Sequence, residues 1–167
     1  MPLPLAHGLF SGSIVAMIHK KPTENFFRAI ALGMFLGIAA DFDFVLVYFL
    51  SMRGLHRGFS HSIGFSAIVF LLIFLILGKR KLRAAIAYGL AYGVHGILDF
   101  VTTKEGGKVE LFWPVSTERV RLGWVGISEG AAKLPLAELI QAFAIELLIF
   151  SPFLLFALSF RRYFRRS

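Results

Sequence analysis

Residues 27–50 read FRAIALGMFLGIAADFDFVLVYFL, a run whose only charged side chains are Arg28 at its start and Asp41 and Asp43 in its second half. At a rise of about 1.5 Å per residue, a helix of this length covers the roughly 30 Å hydrocarbon core of a bilayer. Four further apolar runs accompany it, at residues 3–19, 62–78, 84–103 and 135–160. The first, at 17 residues, sits at the short limit for a span. The chain of 167 residues is 57% hydrophobic and contains 19 phenylalanines, with a mean hydropathy of +0.73. A soluble domain of that length does not need so apolar a surface. The runs therefore predict an all-α integral membrane protein: a bundle of about five transmembrane helices, with four the alternative. Residues 1–167 form one membrane domain, and residues 104–134 an outer loop or lid within it.

The connecting segments carry the expected punctuation. Lys21-Pro22-Thr23-Glu24-Asn25 offers a turn and capping side chains before the second helix. Gly106, Gly107 and Pro114 interrupt the longest polar stretch, within which Lys108–Trp113 and Arg119–Trp124 read as short strands. The first run lacks a basic leader and a small-residue cleavage site, so it is expected to stay attached. There is no internal repeat.

A net charge of +8 raises the question of nucleic acid. The distribution argues against it, because the basic groups sit at the ends of apolar runs, where they set topology and attract anionic headgroups. Lys20, Lys21 and Arg28 follow the first run; Lys79, Arg80, Lys81 and Arg83 follow the third; Arg161, Arg162, Arg165 and Arg166 follow the fifth. These three groups alternate correctly for a multi-pass protein of the cell (inner) membrane with its N-terminus outside and its C-terminus cytoplasmic. The seven remaining basic residues, Arg53, Arg57, Lys104, Lys108, Arg119, Arg121 and Lys133, then lie on the outer side.

On that map the rare ionisable residues converge. The chain has three aspartates and five histidines. Asp41 and Asp43 lie in the second run, His95 and Asp99 in the fourth, His7 in the first, and His56 and His61 flank the start of the third. All seven fall in the outer half of the membrane or at its outer surface. A carboxylate near the centre of a spanning helix costs about 2.5–3.5 kcal/mol, so three cost roughly 7–10, comparable to a domain's whole stability. Ligation to a metal offsets such a cost, structural zinc contributing about 10–16 kcal/mol in peptides.

The spacing suits coordination. His95 and Asp99, four apart, share one helix face. Asp41 and Asp43, two apart, diverge on a regular helix, so either the helix breaks near Gly37 or the two reach different partners. His56 and His61 sit on a turn that Gly58 allows to be tight, and Arg57 between them can face a phosphate or carboxylate. With no cysteine in the chain, thiolate ligands and disulfides are excluded. Imidazole and carboxylate together suit zinc, manganese or iron. Plainer roles stand beside these: an interfacial hydrogen bond for His7, a proton-relay pair for Asp41 and Asp43, a surface position for His19. Glu138 and Glu146, eight apart on one face of the last run, are bundle contacts or supports for the site.

The order His7, Asp41-x-Asp43, His56-Arg57-Gly58-x-x-His61-Ser62, His95-x-x-x-Asp99 resembles the LexA-regulated, YdjM-like inner-membrane family of membrane-bound metal-dependent hydrolases. The opening Met1-Pro2-Leu3-Pro4-Leu5-Ala6-His7 is similar to it too, as are Leu98–Thr103 and Phe112–Ser116. The likeness covers about residues 1–121, and its specific element is residues 56–62. Ser60 stands where the family often has threonine, and Ala40 where a proline is common before Asp41. The resemblance implies hydrolysis at a divalent transition metal, zinc before manganese or iron, as one or two ions. It makes His7, Asp41, Asp43, His56, His61, His95 and Asp99 the candidate ligands.

The reading that follows is a metal-dependent hydrolase at the outer membrane surface, acting on a lipid or lipid-linked phosphoester. Asp41 or Asp43 serves as base and Arg57 faces developing negative charge. Membrane lipids are the expected partners, nucleic acid is not, and the oligomeric state stays open. The alternatives are an ion or proton transporter using the same residues as a pathway, and a scaffold with a structural metal.

Overall fold

The computed structural model describes residues 3–19, 25–51, 55–104, 107–124 and 135–163. Five apolar helical segments replace the five runs almost end for end. They are α1 (Pro4–Ile18), α2 (Phe26–Ala39) continuing through one 3₁₀ turn (Ala40–Phe42) into α3 (Asp43–Leu50), α4 (Ile63–Leu77), α5 (Leu82–Thr102) and α6 (Leu136–Tyr163). Phe26–Leu50, Lys79–Thr102 and Leu136–Tyr163 are long and apolar enough to cross a membrane. α1 and α4 are shorter, at 15 residues each.

α1 is central. It packs against α2, α5 and α6, while α4 packs on α5 and α6 chiefly on α1. Small residues bring the backbones together, as suits helices whose lipid surroundings give no hydrophobic drive to associate. A Cβ at Gly37 would overlap the Ser11 side chain, and one at Gly33 would overlap Val15. Ser11 Oγ, buried, donates to the Ala91 carbonyl at 2.8 Å and ties α1 to α5. Below this lies a cluster of Val15, Ala29, Ala87, Tyr88 and Ala91. Large apolar side chains such as Phe35, Leu72, Ile76, Leu148 and Phe156 face outward, as lipid-covered helices require.

The helices alternate in direction, so one end of the bundle gathers the start of α1, the end of α2, the start of α4, the end of α5 and the start of α6. Lys79–Lys81 and the Arg161–Arg162 pair lie at the opposite end. There the Arg161 guanidinium sits 4.5 Å from the Phe26 ring centroid and donates to the Ala16 carbonyl at 2.8 Å. Lys20, Lys21, Arg165 and Arg166 lie outside the described residues, as do Arg53, Lys133 and most of the turn before α2. Asn25 does stand at the N-cap of α2, without a side-chain capping bond.

The segment after α5 corrects one expectation. In place of two short strands, the described residues hold a single antiparallel bridge, Val109 to Val120, with N–H···O distances of 3.0 and 2.9 Å. The backbone groups around it bond elsewhere: Leu122 and Trp124 donate to the Phe100 and Val101 carbonyls at the end of α5, and the Leu111 carbonyl accepts from Ile63. Helix-end groups that would otherwise lack partners take the bonds a ladder would have used. The result is a cap over α4 and α5. Residues 105–106 and 125–134 of the proposed lid fall outside the described residues.

Candidate metal centre

Each helix delivers its ionisable side chain to the same end of the bundle by a local device. For α1 the device is long-range. The Leu3 amide before its first turn has no acceptor in the helix, and the Glu146 carboxylate from the middle of α6 meets it at 2.5 Å and also accepts from Ala6 N at 3.2 Å, which bonds the Leu3 carbonyl as well. His7 follows on the next residue, fully buried. Its ring stacks on His95 with centroids 3.8 Å apart.

The aspartates are separated by the 3₁₀ turn at Ala40–Phe42. Both sequence alternatives occur together: the helix changes repeat, and the two carboxylates reach different partners. Asp41 Oδ1 faces His61 Nε2 at 3.5 Å and His95 Nε2 at 3.4 Å. Asp43 instead accepts three hydrogen bonds, from His56 Nδ1 at 2.9 Å, the Arg57 amide at 3.1 Å and Ser60 Oγ at 2.8 Å.

Those bonds shape the loop 55–62. The left-handed residue is Arg57, at φ +61°, and not Gly58. A Cβ at Gly58 would still press on the Leu55 carbonyl at 2.9 Å. Asp43 thus gathers both ends of a turn that an arginine would not adopt unaided. The 3₁₀ turn Phe59–His61 follows, and Ser62 caps α4 by accepting from Phe65 N at 2.9 Å. Tyr92 Oη holds the turn from α5 by donating to the Ser60 carbonyl at 2.9 Å. Gly96 lets the turn lie on α5, since a Cβ there would overlap the His61 carbonyl.

Hydrogen-bond partners assign the imidazole tautomers. His95 Nδ1 lies 2.6 Å from the Gly37 carbonyl, which only accepts, so Nδ1 carries a proton and, in the neutral ring, Nε2 the lone pair. Ser60 gives its one hydroxyl proton to Asp43 and therefore accepts from His61 Nδ1 at 3.0 Å, which leaves His61 Nε2 a lone pair as well. Both lone pairs point into the cluster.

The donor atoms that meet there have no hydrogen-bond partner. They are Asp41 Oδ1, His61 Nε2, His95 Nε2, both Asp99 oxygens and both His7 nitrogens, all buried. Neighbouring donors stand 3.4–3.7 Å apart: His7 Nε2 to Asp99 Oδ1 at 3.5 Å, His61 Nε2 to Asp99 Oδ2 at 3.7 Å, and the Asp41 pairs above. That is too long for hydrogen bonds. It is close to the separation of about 3.3–3.4 Å between ligands held tetrahedrally at 2.0–2.1 Å from one zinc ion. Two triads have metal-binding proximity, His7–His95–Asp99 and Asp41–His61–His95, and they share His95. Orphaned buried donors of the right type and spacing fit a transition metal.

The structure thus brings His7, Asp41, His61, His95 and Asp99 together and sets Asp43, His56 and Arg57 around them. His56 lies on the rim, its ring 3.8 Å from that of Phe44. Arg57 is buried with Nε 3.6 Å from Asp99 Oδ2. Sequence reasoning left Glu146 open between two roles and passed over Ser60, Tyr92 and Gly96 as parts of the site. For Ser60 and Gly96 the signal was their adjacency to His61 and His95. Glu146 carried the same signal as the aspartates, a carboxylate inside an apolar helix.

A bundle of apolar helices enclosing a histidine and aspartate cluster at one end defines an integral membrane protein with a candidate metal centre. The YdjM inner membrane protein family matches residues 1–166, and the chain belongs to it. The chain is also 34% identical over 122 residues to the inner membrane protein YbcI of Escherichia coli (strain K12). That alignment covers 70% of this chain and 58% of YbcI, so the chain spans little more than half the length of that relative. No solved structure matches the chain significantly.

Proposed function

We propose that this protein is a membrane-embedded metal-dependent hydrolase whose centre is His7, Asp41, His61, His95 and Asp99. The observation that carries the reading is the set of buried lone-pair donors, unsatisfied among themselves and grouped in two triads that each have the proximity to hold an ion. His95 offers only Nε2, because Nδ1 is bound to Gly37. The two triads therefore share a donor, and one ion per chain is the number this arrangement favours. Zinc suits the donors best, with manganese or iron next. When bound, the ion supplies Lewis acidity, lowering the pKa of water toward about 7.

The chain's own groups do the rest. Ser60 and Gly37 hold the His61 and His95 rings with their lone pairs inward. Asp41 is the aspartate free to take a proton, since it faces the centre while Asp43 is engaged by three donors. Arg57 lies beside Asp99, where a guanidinium meets negative charge developing on a phosphoester. Water adds at phosphorus, the ester P–O bond breaks, and the alcohol leaves with a proton. The substrate class is a lipid or lipid-linked phosphoester of the inner membrane. The orientation that fits the basic ends places the centre and the N-terminus outside and the C-terminus in the cytoplasm.

Transport through the same residues has less support. The half of the bundle beneath the centre is filled by Val15, Ala29, Ala87, Tyr88 and Ala91, a cluster without carboxylate or imidazole to pass an ion onward. The deciding experiment is metal analysis of the purified full chain beside His61→Ala and His95→Ala, with phosphoester turnover measured in parallel. About one equivalent of transition metal, lost in both variants together with turnover, is expected. Metal content that the substitutions leave unchanged removes the reading.

A further inference from the structure

Among the described residues the centre is unevenly exposed. The side chains of His7, His61, His95 and Asp99 are fully buried, those of Asp43 and Arg57 nearly so, whereas Asp41 is 11% and His56 20% exposed. The cap lies over α4 and α5, bonded to Ile63 and to the Phe100 and Val101 carbonyls, with Trp113 lying against Gly64. Asp41 and His56 open instead beside Phe42 and Phe44, which are 51% and 50% exposed. The Phe44 ring lies on His56, and Phe42 continues toward Phe35 on α2.

Two helices act as rulers for depth. From Asp43, α3 runs to Leu50, about 10 Å farther toward that end of the bundle. Its Phe44, Val45, Tyr48, Phe49 and Leu50 are all exposed. α6 runs from Leu136 to Glu146, about 15 Å, before reaching the carboxylate that holds the first turn of α1. Its Leu136, Ile140 and Phe143 face outward on the way. Apolar exposed helix therefore extends past the centre on two sides. Asp41 and His56 thus stand level with exposed apolar helix and not beyond its end.

We propose that the centre takes its substrate sideways from the bilayer, past Phe42 and Phe44, and that this substrate is a net-anionic phospholipid: its phosphate is received at Arg57 and its acyl chain lies along α3. The proposal rests on the hydrolase reading for the reaction, but not for the route. A phospholipid fits because its phosphoester sits at the membrane interface, joined through glycerol to acyl chains that reach into the hydrocarbon. Among the described elements α3 packs chiefly on the 3₁₀ turn before it and offers the chain an exposed apolar face. Arg57 supplies the buried cation that a neutral lipid would not need.

The test places the photocrosslinker p-benzoylphenylalanine at Phe42, at Phe44, or at Leu72 on the outer face of α4 as a control. The full chain is reconstituted in phosphatidylcholine vesicles containing a minor fraction of phosphatidic acid. Mass spectrometry then gives the ratio of the two lipids among adducts. Enrichment of phosphatidic acid several-fold above its bulk share at 42 and 44, bulk ratio at 72, and loss of enrichment on Arg57→Ala are expected. Bulk ratio at 42 and 44, with the chain folded and adducts formed, overturns the proposal. The route and the reaction fail separately. Enrichment without turnover in the metal-loaded protein keeps the route and removes the hydrolase reading. Cleavage of the water-soluble p-nitrophenyl phosphate without enrichment does the reverse.

Discussion

The amide of Leu3 donates to the carboxylate of Glu146 at 2.5 Å, joining the first turn of α1 to the middle of α6 across 143 residues. The bond explains a carboxylate within a long apolar helix, and it sets the position of His7 four residues on. Because α6 packs chiefly on α1, this contact also anchors the last helix to the bundle.

Replacing Glu146 by leucine removes the acceptor of the part-buried Leu3 amide and one of the two acceptors of the buried Ala6 amide, which also bonds to the Leu3 carbonyl. A buried amide left unsatisfied costs about 1–3 kcal/mol. Glu146→Leu is expected to lower stability by an amount in that range and to weaken metal binding through His7. Glu146→Gln, which keeps an oxygen acceptor, recovers most of both. Thermal unfolding in detergent and metal titration check this; a glutamine variant as damaged as leucine contradicts the capping role.

Ser60→Ala removes the hydroxyl that links Asp43 to His61. Groups that orient a metal-binding imidazole commonly contribute 10–100-fold in affinity. A loss of that size, with the fold intact, is expected for Ser60→Ala, and Ser60→Thr should retain wild-type affinity. Competition against a chelator measures it. Equal affinity in wild type and Ser60→Ala argues that His61 is not a ligand.

Gly96→Ala puts a methyl group where the His61 carbonyl lies. Overpacking of this kind costs typically about 1–3 kcal/mol, and here the displaced backbone carries a proposed ligand. The variant is expected to lose metal in greater proportion than stability. Gly78→Ala serves as control for folding, its site being open space although at φ +75°. Wild-type metal content in Gly96→Ala contradicts the packing of the turn on α5.

Protons and the ion compete for the imidazole lone pairs of His7, His61 and His95. The extra thermal stability of metal-loaded over chelator-treated protein should therefore shrink as pH falls, because protonation removes the ligand. A stability increment that does not change with pH down to the onset of acid unfolding is incompatible with imidazole ligation.

How far the sequence reached differs between levels. Long apolar runs mark helices because a bilayer forces every backbone group to be satisfied within the segment, so the helix bounds were legible nearly to the residue. The cap was not, because its backbone bonds go to the ends of α4 and α5, far away in sequence, and not to a paired strand. Asp41 and Asp43 were legible as a pair that must diverge. Which of them faces the cluster was not.

What the sequence determined by itself is the solvent and the inventory: a lipid-immersed helical bundle, and three aspartates and four histidines whose burial needs compensation. The tertiary structure alone decided which of those atoms meet. Asp43 is consumed by hydrogen bonds to the loop it folds, His56 is left at the rim, and five residues from three helical segments and one turn converge with their lone pairs unsatisfied. The physical reason is that hydrogen-bond satisfaction is settled by three-dimensional proximity, which chain spacing constrains only within a single helix.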